Sequence, residues 1–301
     1  MRSFNPSNFR EMLLHFWPRF LFNEARTKYK LSLRRVPVQQ RKAEMISGGL
    51  GSKVDPWAFI RVKDERTTLL ASLNSILPVI KKGVIGYNEC TDGSDKIIEQ
   101  FCRDNPGFIP FHYPYHVESQ CSKEYATGSL AYENTLAAYY NAVLQVIPKN
   151  EWLIKIDVDQ IYFPDILEHS FYLPKRNSDL VIYSRLNTVR TDNNEIKVID
   201  CIRPGDHWLV YNNNLEFINK WGEKENGDFF SWEELKMGPH EIPYFPECSS
   251  IHFPFEKKYR PYAGDVDALP SIDSFMETAD ETEFSEELLA VKDIVKTFEN
   301  V

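Results

Sequence analysis

The chain contains no C-x-x-C pair, and its cysteines at 90, 102, 121, 201 and 248 stand apart. An odd number of cysteines without a framework points to reduced thiols and a cytoplasmic setting. No apolar run approaches the ~18–20 residues that a membrane span needs. The stretch MLLHFWPRFLF (12–22) is short, is broken by Pro18 and Arg19, and has no small-residue cleavage site. Neither an anchor helix nor a signal peptide is therefore expected. No internal repeat is visible. Net positive charge is also missing: the chain carries −9, which argues against nucleic acid as a partner, because a polyanion would be repelled.

What is present suffices for one large domain, or one domain with extensions: 301 residues, 43% apolar and 14% aromatic. Charge is unevenly placed. Residues 1–45 hold ten Arg/Lys against three Glu, or +7, so the remainder carries −16. Residues 264–301 hold eleven Asp/Glu against two Lys. Phe9, Leu13, Leu14, Phe16, Trp17, Phe20, Leu21 and Phe22 interleave the basic head. Such a head suits an anionic membrane surface, and equally a helical extension packed on the main domain. SGGLGSKVDP (47–56) reads as a linker. The expected division is a basic helical extension over 1–50, a main domain over 51–263 and an acidic helical tail over 264–301.

Strand and helix signals alternate through the first half of the main domain. WAFIRV (57–62), GVIGYN (83–88), FIPFHYP (108–114) and WLIKID (152–157) read as strands. RTTLLASLNSILPVIKK (66–82), DKIIEQFCRDN (95–105) and SLAYENTLAAYYNAVLQVI (129–147) read as helices. This order predicts an α/β domain with a mainly parallel central sheet flanked by helices. Ligands of such sheets bind at the carboxyl ends of the strands, where Asp157 and the Asn88–Ser94 turn fall.

WLIKIDVDQIYFP (152–164) places Asp157 and Asp159 between apolar flanks. Two neighbouring carboxylates in low dielectric need a cation or donors to compensate them. Carboxylate oxygens suit Mg²⁺ or Mn²⁺. A calcium loop does not fit, because a third oxygen ligand and the glycine are missing. Aspartate-nucleophile phosphohydrolases also carry D-x-D after a strand, but prefer Thr or Val where Ile161 stands and open the chain with the motif.

PWAFIRVKDE (56–65), SILPVIKKGVIGYNECTDGS (75–94), EWLIKIDVD (151–159), GDHWLV (205–210) and HFPFEKKYR (252–260) together resemble the bacterial β-1,4-N-acetylgalactosaminyltransferases of lipooligosaccharide outer cores. The resemblance covers roughly residues 55–260. It implies a GT-A fold, a UDP-sugar donor with GalNAc foremost (GlcNAc, Gal and Glc as alternatives), and a galactose-containing glycolipid or oligosaccharide acceptor. It also implies a setting on the inner face of the inner membrane. An envelope-associated scaffold that kept the fold without catalysis is the non-enzyme alternative.

By the same resemblance, Asp159 ligates Mn²⁺ or Mg²⁺, Asp157 meets the ribose or a metal-bound water, and His252 is a third ligand. Lys257, Lys258 and Arg260 neutralise the diphosphate. Arg61, Lys63, Asp92 and Ser94 line the nucleoside pocket, although Arg61 stands where related families have a small or apolar residue. The general base is expected at a helix start, Glu234 before Glu233 before Asp206, with Ser231 as a possible N-cap in FFSWEELK (229–236). Trp208 and Trp232 are candidate sugar platforms, or core residues.

Overall fold

The structure is a computed structural model. It describes residues 52–298, apart from 120, 121, 123, 126–128, 224–228, 238–242, 245, 246, 258, 259, 281 and 282. The basic head, Cys121 and Lys258 lie outside the described residues.

The apolar runs become strands where expected. They are β1 (Trp57–Val62), β2 (Gly83–Tyr87), β3 (Phe108–His112) and β4 (Trp152–Ile156). Helices α1 (Arg66–Ile76), α2 (Ser94–Asp104) and α3 (Leu136–Val146) connect them. After β4 come β5 (Gln160–Tyr162), α4 (Pro164–Ser170), β6 (Leu180–Arg190) and β7 (Ile196–Tyr211). Then follow β8 (Glu216–Glu223), β9 (Phe229–Lys236), β10 (Pro243–Tyr244) and β11 (Ser250–His252). The tail adds α5 (Ile272–Thr278) and a last turn of helix, α6 (Val291–Ile294).

The main sheet runs β3-β2-β1-β4-β7-β6-β11-β5, with β10 paired to β6. The block β3-β2-β1-β4 is parallel throughout. Beyond it the pairings β4–β7, β7–β6 and β11–β5 are antiparallel. The expectation of a mainly parallel sheet is thus corrected to a mixed one. The reason is local: β7 follows β6 through a short turn at Asn194, and such a turn can join only antiparallel neighbours. A second correction concerns FFSWEELK, which is strand β9 and not a helix. It pairs antiparallel with β8 in a separate two-stranded sheet.

Alternation along the strands splits the core in two. Ala58, Ile60 and Val62 face α1, α2 and α4, packing with Leu69, Leu73, Ile98, Phe101 and Leu167. Phe59 faces the other way, toward Tyr139 and Val143 of α3 and Phe217 of β8. Gly86 makes that packing possible, because a Cβ there would sit 2.3 Å from Val143 Cγ2. Thr135 caps α3 by accepting from Ala138 N. A third cluster joins Ile161, Ile251 and Phe253 to Ile272, Leu288, Val291, Val295 and Phe298, so the acidic tail shares a core with β5 and β11.

Candidate active site

β4 is the last strand of the parallel block, and the chain leaves its carboxyl end at Asp157. Tyr162 clamps that exit: its hydroxyl accepts from Asp157 N at 2.9 Å and lies 3.2 Å from Asp157 O. The Asp157 carboxylate meets Arg61 Nη2 at 2.5 Å, Lys155 Nζ at 2.9 Å and His207 Nε2 at 2.9 Å. Burial alone would raise its pKa, but Lys155, His207 and Arg61 outweigh burial and hold the group well below the usual carboxylate range. Asp206, on β7, bonds Lys155 at 3.1 Å and Arg185. It is held low in the same way: Arg185, Lys155 and His207 overcome a burial effect of opposite sign.

Asp157, Asp206 and His207 present ligand atoms within 4.8 Å of one another, which fits the donor set of a metal site. Yet Arg61, Lys155 and Arg185 already surround these two carboxylates. A divalent ion there would have to displace or oppose three cations, so the cluster is better matched to holding Asp157 ionised and oriented.

Asp159 lies two residues on, buried, with a different set of neighbours. His252 Nε2 is 3.3 Å from its Oδ2, and Lys257 Nζ is 3.9 Å away. Lys257 also pairs with Glu65. Asp159 is pulled down to about 2: burial opposes the shift, and His252 and Lys257 drive it. Burial and Asp159 together push Glu65 up to about 8 against the pull of Lys257. Here two acidic groups share one lysine, and His252 Nδ1 is already engaged by Asn187 Oδ1 at 2.8 Å. Nε2 is therefore the nitrogen left facing Asp159. A carboxylate oxygen and an imidazole nitrogen at that separation fit a divalent cation held between them, and the mixed O/N set suits Mn²⁺ better than Mg²⁺.

The other expected residues fall into distinct places. Arg61 lies inside β1, its side chain buried and its guanidinium 3.9 Å over the Tyr140 ring, with Nε and Nη1 lacking a hydrogen-bond partner among the described residues. Lys63 is exposed and pairs with Glu89 at 2.9 Å. Asp92 accepts from Arg66 N at 2.8 Å and Ser94 N at 2.9 Å, so its carboxylate ties together the starts of α1 and α2. Ser94 is buried and accepts from Glu65 N at 3.0 Å. The backbone beside them is left-handed at three positions: Asp64 and Glu89 have φ of 52° and 43°, and Gly93 has 92°. Arg260 is exposed near Lys257, its N donating to Lys257 O.

Glu233 and Glu234 are consecutive on β9, so they point to opposite faces. Glu233 is the one near Arg61, Lys155 and Tyr140; burial raises its pKa against the pull of Arg61 and Lys155. Trp208 is core, stacked on Phe59 at 6.2 Å. Sequence reasoning missed Glu65, Lys155, Arg185 and His207. Lys155 carried a signal, being a lysine inside an otherwise apolar strand that ends in D-V-D.

A family model matches residues 44–298, which include the D-V-D turn, both Asp–His pairs and β9; its class is glycosyltransferase. The chain belongs to the family so described, "Beta-1,4-N-acetylgalactosaminyltransferase (CgtA)". No curated protein matches the chain. Among solved structures it is similar to glucosyl-3-phosphoglycerate synthase from Mycobacterium tuberculosis, in complex with Mn²⁺, UDP and phosphoglyceric acid. The identity is 12% and the TM-score 0.29, over 52% of this chain and 48% of that one. It is also similar to the inositol-1-phosphate CTP transferase from T. maritima, at 10% identity and TM-score 0.30, over 53% and 72%. The chain thus spans about half the length of the first of these. Among the described residues, no helix is long and apolar enough to cross a membrane.

Proposed function

We propose that the protein is a metal-dependent, inverting transferase that moves a sugar, GalNAc foremost, from a UDP-sugar to a galactose-containing lipooligosaccharide or surface glycan. The observation that carries this reading is the buried Asp159–His252 pair at the end of D-V-D, within a chain of this family. Asp159 and His252 would hold Mn²⁺ or, less suitably, Mg²⁺, which supplies charge stabilisation to the leaving diphosphate. Asp157, fixed as an anion by Arg61, Lys155 and His207, presents an acceptor to ribose hydroxyls. Lys257, with Lys258 and Arg260 following it in sequence, neutralises the diphosphate. Arg61, Lys63, Asp92 and Ser94 frame the nucleoside end.

Glu233 takes the proton from the acceptor hydroxyl, ahead of Glu234 and Asp206. It lies beside Arg61 and Lys155 of the charged cluster, and burial raises its pKa, which favours proton uptake. Asp206 is a poor base, because Arg185 and Lys155 hold its carboxylate. The transferase unit spans 51–263, with the tail supporting β5 and β11. The basic head, +7 over residues 1–45, places the protein on the anionic cytoplasmic face of the inner membrane.

The test is UDP release with a panel of UDP-sugars and a galactose-terminated acceptor, with Mn²⁺, with Mg²⁺ and with EDTA. Release that is fastest with UDP-GalNAc and abolished by EDTA is expected. Full release in EDTA overturns the metal role, and no release with any UDP-sugar overturns the transferase reading. Liposome sedimentation that does not depend on anionic lipid overturns the membrane role.

A further inference from the structure

Asn187, Asp200 and His252 come from three adjacent strands. Asn187 is the register partner of Asp200 across β6–β7 and of His252 across β6–β11. Their side chains form one line. Asn187 Nδ2 donates to Asp200 Oδ1 at 2.7 Å, and Asn187 Oδ1 lies 2.8 Å from His252 Nδ1. The pairing of β6 with β7 shifts register just after Asn187, between Asn187 and Thr188. Such irregularities re-aim side chains beside functional sites.

The order of donors follows from chemistry. A carboxylate only accepts, so Asp200 draws the amide NH₂ of Asn187. The amide oxygen must then face His252, and an oxygen can only accept, so His252 Nδ1 is the donor. The other ring nitrogen, Nε2, is left toward Asp159 at 3.3 Å. Histidine metal ligands are held by such a bond from the second nitrogen.

We infer that Asn187 and Asp200 are positioning residues that fix the ring orientation and tautomer of His252 for a divalent cation. This rests on the proposed role of His252 as a ligand. Asp200 acts one step removed: without it the Asn187 amide is free to turn over and offer NH₂ to Nδ1.

The experiment titrates Mn²⁺ into the full chain with saturating UDP, following free Mn²⁺ by electron paramagnetic resonance. His252→Ala tests the ligand role, and Asn187→Leu tests the positioning role. Asn187→Leu should weaken Mn²⁺ binding by roughly 10–100-fold, the usual effect of losing a ligand's supporting bond, and His252→Ala by at least as much. The melting temperature without metal controls for folding. If Asn187→Leu does not fold, Asp200→Ala is the second variant, and weaker Mn²⁺ binding is expected of it.

Nitrogen-15 spectra of histidine-labelled protein read the ring nitrogens directly, and a proton on Nδ1 is expected. Undiminished Mn²⁺ binding in His252→Ala overturns the ligand role itself. Loss in His252→Ala with wild-type binding in Asn187→Leu, or in Asp200→Ala, overturns the positioning role alone. A wild-type spectrum with Nδ1 bare overturns it as well.

Discussion

Replacing Asp159 by Asn tests the electrostatics of the site without the substrate. The Asp159 carboxyl is depressed from 3.8 to about 2. Each pKa unit is worth ~1.4 kcal/mol, so the ionised group stabilises the metal-free fold by about 2 kcal/mol. The sign follows from the direction. A carboxyl lowered on folding contributes fully above its unfolded value of 3.8, and the contribution is lost as pH falls through about 2. Asp159→Asn should therefore lower urea-unfolding stability by about 2 kcal/mol at pH 6 and by about half that at pH 3. Added Mn²⁺ should stabilise the wild type and leave the variant unmoved, since a ligand raises stability only where it binds the folded state. Turnover should fall by more than ~100-fold. A variant as stable as wild type at pH 6 would refute the reasoning. It would mean that His252 and Lys257 do not compensate Asp159.

Glu233→Gln should keep UDP-sugar affinity, measured by calorimetry, and lower kcat by ~10²–10⁴-fold, while Glu234→Gln should leave kcat within tenfold; the reverse pattern returns the base to Glu234. Lys155→Met should destabilise by about 2 kcal/mol in urea unfolding, less than the ~3–5 kcal/mol of a buried pair broken outright, because Arg61, Arg185 and His207 still face the two carboxylates. Gly86→Ala should cost about 1–3 kcal/mol by overpacking against Val143, and an unchanged melting temperature would mean that α3 slides freely.

The parallel half of the fold was legible because each strand there is a continuous apolar run closed by a turn. WAFIRV, GVIGYN and WLIKID become β1, β2 and β4 within a residue or two of their expected ends. The D-V-D turn stood out because apolar flanks bracket it, and His252 because of the family resemblance. β9 was not legible. In FFSWEELK, Ser231 and Glu234 have the spacing of a helix capping box, and two glutamates favour helix. Pairing with β8 overrides that local preference, and only the tertiary structure shows the partner. The cations around Asp157 were hidden for a related reason. Lys155, Arg185 and His207 are distant in sequence or masked by alternation, and they meet only because β4, β6 and β7 lie side by side. Glu65 was hidden because a charged residue after a strand looks solvated, whereas this one is buried beneath Lys257.

The β8–β9 ribbon pairs only with itself among the described residues, and leans on α3 and, through Phe217 stacked on Phe59, on the face of the main sheet. Under the proposed role of Glu233, the proton acceptor therefore rides on an element separable from the nucleotide-holding block. Exchanging the ribbon between relatives would break no backbone hydrogen bond of the nine-stranded sheet. Only a few anchors, such as Asn141 donating to Phe217 O and Asn219 accepting from Ala137 N, would have to travel with it. Diversification of the glycan that receives the sugar can then proceed in the ribbon as an interchangeable cassette, while D-V-D and His252 stay under one unvarying constraint.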